Sequence, residues 1–189
     1  MKGKFLAKVV ALSLVMATAV STVVMTSTEA DARRTFTYGQ VTGEQAAYIK
    51  TIFMPQEYAN LYPDLWDNNV RTDEELWAHF INCGIWEHRQ PRAGLQIDCY
   101  ASLNPDLHSR YGSDIPSYYV HYAKHAATEG WRATPTFDDC GRRGSTIYAV
   151  DDFVVGETAV RPGAIPVQTA ESYMAYKKDV RKNDPNHEF

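Results

Sequence analysis

Apolar residues recur at helical spacing in the middle of the chain. One such set lies at positions i, i+4 and i+7 and forms a single apolar face: Leu76, Phe80 and Cys83. Thr72 and Glu75 precede this face with the spacing of a capping box, in which each side chain accepts a hydrogen bond from the backbone of the other residue. The pattern predicts a helix that begins after Thr72 and ends at Gly84.

Prolines predict where the shorter helices begin. Pro55 fits the first turn of a helix that must end near Tyr62, because the residue before Pro63 is disfavoured in the α region. Pro63 then begins a second short helix. Further along, the run Asn104-Pro105-Asp106 is typical of a helix start, with a capping residue, a first-turn proline and an early acidic group, and Gly112 is placed to end that helix.

The sequence repeats itself with a period of 42 residues. Residues 53–94 are the first copy and residues 95–137 are the second. A fixed period is typical of stacked copies of one supersecondary unit. We interpret the residues that the copies share as structural: Tyr58, Pro63, Asp64, Leu65, His79 and Glu87 in the first copy, and Tyr100, Pro105, Asp106, Leu107, His121 and Glu129 in the second.

We therefore predict an all-α fold, with two tandem three-helix repeat units of about 42 residues. Residues 33–52 form an N-terminal segment with a capping helix over about 44–52, because Thr42 and Gln45 also have capping-box spacing. Two repeats leave open ends, which this helix can cover.

Residues 138–189 are predicted to be an irregular tail. Residues 146–155 have the β-branched and aromatic content of a short strand, and a polar helix is predicted over 169–181. We expect no packing between this tail and the core.

Residues 1–32 have the pattern of a secretory signal peptide. A basic start precedes an apolar run over 9–25, and Ala30 and Ala32 supply small residues before a cleavage point at Arg33. We expect a secreted, extracellular product with no membrane span after cleavage. An uncleaved N-terminal anchor is the alternative. The formal net charge of −4 gives no basic footprint for nucleic acid, and a hydrophobic content of 44% is enough for a packed core.

Both copies combine Tyr-Ala-x-x-x-Pro-Asp-Leu with a closing motif, which in the first copy consists of His79, Gly84, Glu87 and Arg89. Over about residues 53–137 the chain resembles a tandem repeat of exported bacterial proteins that ends in His-Tyr-x-x-x-Gly-x-x-Glu-Gly-Arg. His88 stands where Gly is usual in the first copy, and Ala126 stands where Gly is usual in the second. The resemblance implies a helical module of surface or secreted proteins, with no catalytic role attached to the motif.

Three cysteines in an exported chain allow one internal disulfide and leave one thiol over. Cys99 and Cys140 are the preferred pair, because each follows an aspartate at the end of a repeat, whereas Cys83 lies on an apolar helix face. Three reduced thiols are the alternative. The spacing does not fit a zinc site, and the sequence predicts no metal and no cofactor.

His79 and His121 each precede a glutamate by eight positions, which does not place both groups on one helix face. We expect each imidazole to donate to a loop carbonyl or to the aspartate of its own copy. The alternative is a small secreted hydrolase that uses His121, Glu129 and Asp106. His88 has no counterpart in the second copy, so we expect it at the surface.

Trp66, Trp86 and His88 are the candidate binding residues, and we expect both tryptophans to be exposed. The second copy has His108 and Thr128 at the positions that correspond to the two tryptophans, so the shared scaffold does not require an indole there. The predicted function is that of a non-catalytic binding or interaction module. Its partner is an unknown protein or a cell-envelope glycan, and not nucleic acid.

Overall fold

In the computed structural model, residues 38–126, 128–133 and 135–167 are described. This part of the chain is all-α and contains no strand, which confirms the predicted fold class. Its eight α-helices are α1 (Gly43–Lys50), α2 (Pro55–Leu61), α3 (Asp64–Asp67), α4 (Asp73–His79), α5 (Ile97–Leu103), α6 (Pro105–Tyr111), α7 (Ile115–His121) and α8 (Phe137–Arg142). The predicted signal peptide and the predicted polar helix over 169–181 lie outside the described residues.

The predicted starts of α1, α2 and α4 are confirmed. Thr42 caps α1 and Thr72 caps α4, and in both cases the capping box is complete, with Gln45 and Glu75 accepting hydrogen bonds from the backbone of the cap residue. Helix α2 begins with a proline and ends one residue before Tyr62, whose backbone leaves the α region, as expected before a proline.

Helices α4 and α7 each continue into one π-helical turn, over Phe80–Gly84 and Tyr122–Ala126. The helix that begins after Thr72 therefore ends at Gly84 as predicted, although its last turn is π-helical and Gly84 does not adopt a left-handed conformation. Gly84 is required by a close approach instead, because a Cβ atom built there would overlap the hydroxyl oxygen of Tyr58. The corresponding position in the second copy holds the buried Ala126.

The start of α6 differs from the prediction in one detail. The side chain of Asn104 does not cap the helix; its Nδ2 donates to the carbonyl of Tyr100 at 2.7 Å, one turn back in α5. Gly112 ends α6 as expected, with a φ of 54°, a conformation that costs a glycine little.

The main core lies between α1, α2, α4, α5 and α7. Aromatic rings fill much of it, and Phe53, Tyr58 and Phe80 meet with ring centroids 5.3–5.4 Å apart. Such rings combine a large buried apolar area with favourable edge-to-face contacts. Short helices can therefore share one core even though none of them is long enough to be stable alone.

The expectation that the tail avoids the core is wrong for its described residues. Phe153 joins the main core, and Ile147 and Val167 form a second cluster with Leu103 and the two buried cysteines. The predicted strand over 146–155 is also wrong: this stretch contains a 3-10 turn over Val150–Asp152, followed by one isolated bridge from Phe153 to residue 160. Of its β-branched residues, Ile147 and Val150 are buried, whereas Val154 and Val155 are exposed.

We predict that Gly84→Ala destabilises the protein. The added methyl group must displace Tyr58, which is fully buried and hydrogen bonded, so the free energy of unfolding should fall by about 1–3 kcal/mol. Gly141→Ala is the matched control, because a Cβ atom meets nothing within 4 Å there and alanine favours the helix. Urea denaturation of both variants gives the comparison; equal stability of Gly84→Ala and the parent protein would contradict the close approach.

Candidate functional site

The closing motif of the first copy forms a buried polar cluster. The hydroxyl of Tyr58 lies 2.9 Å from Nδ1 of His79. Nearby, the guanidinium of Arg89 is completely buried, pairs with Asp64 at 2.8 Å and also contacts Glu87. A buried charge must be paired and hydrogen bonded, so these carboxylates are what allow the arginine to lie inside the fold. Burial raises the pKa of Tyr58 well above its ordinary value, which keeps its hydroxyl protonated.

The second copy places the same groups in a more open setting. The hydroxyl of Tyr100 lies 2.8 Å from Nδ1 of His121, and Arg132 pairs with Asp106 at 3.0 Å and with Glu129 at 3.1 Å. Burial lowers the pKa of His121, and the nearby Glu129 opposes that shift. The ring is therefore neutral at pH 7.

Tyrosine is the partner that the sequence did not indicate. We expected each histidine to donate to a loop carbonyl or to the aspartate of its copy, whereas Nδ1 of each ring meets a tyrosine hydroxyl and each aspartate pairs with an arginine. The available signal was the spacing of 21 residues between tyrosine and histidine, which is the same in both copies.

His88 is fully buried, so its predicted surface position is wrong. Its Nδ1 lies 2.7 Å from Asp98 and its Nε2 lies 3.2 Å from Asp151. These three residues, which we call the His88 cluster, join the end of the first copy to the start of α5 and to the 3-10 turn of the tail. Asp98 also accepts the backbone N–H of Val150 at 2.9 Å.

The backbone explains why glycine is usual at this position of the motif. His88 has a φ of 53°, in the left-handed region, and Gly130 has a φ of 60° at the corresponding position of the second copy. A residue with a Cβ atom is strained there, at a cost of about 1 kcal/mol or more. Burial lowers the pKa of His88, but Asp98 and Asp151 outweigh burial and raise it to about 9, so the imidazole is charged at pH 7.

Trp66 and Trp86 differ in environment. Trp66 on α3 is 49% exposed, and the guanidinium of Arg71 lies 5.9 Å from its ring centroid. Trp86 is half-buried against the core, and a Cβ atom built on Gly39 would lie only 2.6 Å from its ring. The expectation of an exposed Trp86 is therefore wrong, because the segment before α1 covers it. Trp66 remains a predicted binding residue.

Cys99 and Cys140 are neighbours in the second cluster, and both are buried thiols. The Sγ of Cys140 lies 4.0 Å from the carbonyl oxygen of Cys99. The adjacent Cys140 sulfur and burial both raise the pKa of the Cys99 thiol. The pairing remains a prediction. Cys83 is half-buried on the π-helical turn and does not belong to the second cluster.

Among the described residues, no group of three His, Cys, Asp or Glu side chains is placed to hold a metal ion. Within the same ranges, no helix has both the length and the apolar character needed to cross a membrane. Comparisons with protein-family profiles, with curated proteins and with solved structures find no match to this chain. Inferences about function therefore depend on the contacts of the chain's own residues.

We predict that His88→Gly separates backbone strain from ion pairing. Because the folded-state pKa lies above the ordinary value of His, the ion pairs contribute fully below about pH 6.5 and are lost as the pH rises through 9. The difference in stability between the parent protein and His88→Gly should therefore shrink by about 3 kcal/mol between pH 6 and pH 10.

Urea denaturation at a series of pH values measures this difference. At pH 6 the variant should be less stable than the parent, although it no longer carries a strained side chain. Parallel pH profiles, or a variant that is more stable at pH 6, would show that the His88 cluster does not stabilise the fold.

We also predict a disulfide between Cys99 and Cys140. When the chain refolds in a glutathione redox mixture, the two thiols should lose two protons and two electrons to oxidised glutathione, which is reduced to two thiols. Mass spectrometry of proteolytic fragments should find these two residues linked, both in the parent and in Cys83→Ser. Recovery of both cysteines as alkylated thiols would refute the pairing.

Proposed function

We propose that this chain is a secreted, non-catalytic helical-repeat protein that binds a partner at the cell envelope or outside the cell. The observation that carries the proposal is the duplicated contact between tyrosine and histidine, in which Tyr58 meets His79 and Tyr100 meets His121. Groups that recur in two copies and bond to each other serve packing, whereas a catalytic centre gathers unique groups around one reacting atom.

Two tandem three-helix units form the scaffold in this proposal. Helices α5 and α7 begin 42 residues after α2 and α4, and the two π-helical turns keep the same offset. In both copies a backbone hydrogen bond joins the start of the copy to its end. The N–H of Met54 donates to the carbonyl of Pro91 at 3.0 Å, and the N–H of Gln96 donates to the carbonyl of Pro135 at 3.1 Å. These paired contacts support a repeated unit over residues 53–94 and 95–137.

The proposed location depends on the sequence. Residues 1–32 carry the signal-peptide pattern, and the repeat resembles modules of exported bacterial proteins. The partner in this proposal is a protein or an envelope glycan, and the contact residue is the exposed Trp66. An exposed indole presents apolar area and an N–H donor together, which suits it to either partner.

A small secreted hydrolase that uses His121, Glu129 and Asp106 is the second candidate. One observation favours it: the His121 ring has a lowered pKa and is neutral at pH 7, as a general base must be. Against it, Nδ1 of this ring is bonded to Tyr100, and Arg132 pairs with both carboxylates.

The test is cosedimentation of the protein with insoluble cell-envelope material, followed by solubilisation of surface proteins from the pellet. Trp66→Ala should lower the bound fraction at least fivefold, because it removes the exposed indole. Tyr48→Ala is the matched control, since Tyr48 is an aromatic residue that is 37% exposed on α1. His121→Ala should leave binding unchanged once its folding is verified.

Two results would contradict the proposal. Binding that is equal in Trp66→Ala and in the parent would remove the indole from the contact. Release of soluble fragments from the envelope by the parent, but not by His121→Ala, would favour the hydrolase.

A further inference from the structure

Part of the tail covers one face of the second copy. Residues 147–156, which we call the covering segment, run along α5 and then along α6. On α5, the N–H of Tyr148 donates to Oγ of Ser102 at 2.9 Å, and the N–H of Val150 donates to Oδ1 of Asp98 at 2.9 Å. Main-chain donors of the segment thus meet side-chain acceptors of the helix.

On α6 the contact is mainly apolar. The Phe153 ring meets the His108 ring edge to face at a centroid distance of 4.3 Å, and the N–H of Gly156 donates to the carbonyl of Ser109 at 2.7 Å. The covering segment leaves His108 only 5% exposed. A stretch of chain that includes one 3-10 turn and one aromatic anchor is therefore what fills this face.

The corresponding face of the first copy is open. The residues 42 positions before Asp98, Ser102 and His108 are Gln56, Asn60 and Trp66, and all three are exposed. Leu61 is 37% exposed, whereas its counterpart Leu103 is 8% exposed beneath the tail. The open face consists of Gln56, Asn60, Leu61 and Trp66 on α2 and α3.

The two faces are equivalent in position as well as in sequence. Asp64 lies two residues before Trp66, and Asp106 lies two residues before His108. Asp64 pairs with Arg89 at 2.8 Å, and Asp106 pairs with Arg132 at 3.0 Å. Leu65 and Leu107 are both buried one residue before the ring. The ring of Trp66 therefore stands where the ring of His108 stands in the second copy.

The open face also keeps the chemistry of the covered one. Gln56 and Asn60 replace Asp98 and Ser102, and each carries a side-chain oxygen that can accept a main-chain N–H. The amide nitrogen of Gln56 donates to Asp73 at 3.0 Å, so its oxygen is the group that remains as an acceptor. Two acceptors and a ring recur in the same order.

We propose that this open face binds a short segment of a partner protein, with an aromatic side chain on Trp66 and main-chain N–H groups on Gln56 and Asn60. This inference rests on the proposed function and chooses a protein over a glycan. The choice follows from the covering segment, because main-chain donors and one ring are what the equivalent face holds. Recognition of a peptide segment through main-chain hydrogen bonds and one side-chain anchor is a recurrent mode of binding.

The experiment offers the full chain a fluorescent synthetic peptide with the sequence of residues 146–157, which contains the covering segment. Fluorescence anisotropy should show saturable binding, weakened at least tenfold by Trp66→Ala and at least threefold by Gln56→Ala with Asn60→Ala. Tyr48→Ala is the matched control and should bind like the parent. A peptide with Ala in place of Phe153 should bind at least tenfold more weakly.

Several outcomes would overturn the inference. They are absence of binding at millimolar peptide, binding that is lost in His108→Ala but kept in Trp66→Ala, and a Trp66-dependent dimer of this chain in sedimentation. Envelope glycan that binds through Trp66 while the peptide does not would also overturn it, yet would leave the proposed function intact. Loss of envelope binding together with retained peptide binding would contradict the proposed function and leave this inference intact.

Discussion

A charged side chain inside the protein imposes the strongest constraint on this fold. Arg89 is completely buried, and an unpaired guanidinium there would be prohibitively costly. Asp64, Glu87 and the ring of Tyr62 surround it, and its own carbonyl accepts the hydroxyl of Tyr119 from α7 at 2.9 Å. Arg89 makes all of these contacts only when α2, α3, α7 and the turn after α4 are in place. The packing of these elements is therefore interdependent.

The second copy meets the same constraint less strictly. Arg132 is partly exposed and its carboxylate partners are accessible to water, so each ion pair is worth less than its counterpart around Arg89. The covering segment and the His88 cluster add the contacts that the second copy lacks. The described part of the tail, up to residue 167, therefore belongs to the folded core, and the two copies are stabilised by different means although they share a sequence pattern.

The sequence predicted those features that depend on contacts between residues close together in the chain. The caps at Thr42 and Thr72, the proline that begins α2 and the glycine that ends α6 involve groups within four residues of one another, so their signals are visible in the chain. The π-helical turns were missed, because nothing local distinguishes them from continued α-helix. The amphipathic spacing that predicted the helix after Thr72 fits both conformations.

Long-range contacts account for the other errors. His88 was expected at the surface because its partners, Asp98 and Asp151, lie 10 and 63 positions further along the chain. Trp86 was expected to be open because Gly39 precedes it by nearly fifty residues. The recurrence of a residue in both copies indicated whether the shared scaffold requires it. Recurrence gave no information on contacts that only one copy makes.

The left-handed backbone at His88 also constrains the order in which this sequence can change. Glycine fits that conformation alone, whereas histidine fits it only while Asp98 and Asp151 both face the ring. Loss of Asp151 is thus more harmful in the present background than it would be with glycine at position 88, whereas Asp98 would still be required by the N–H of Val150. A sequence change at position 88 should accordingly precede or accompany a change at Asp151, because the reverse order leaves a strained histidine with one partner fewer.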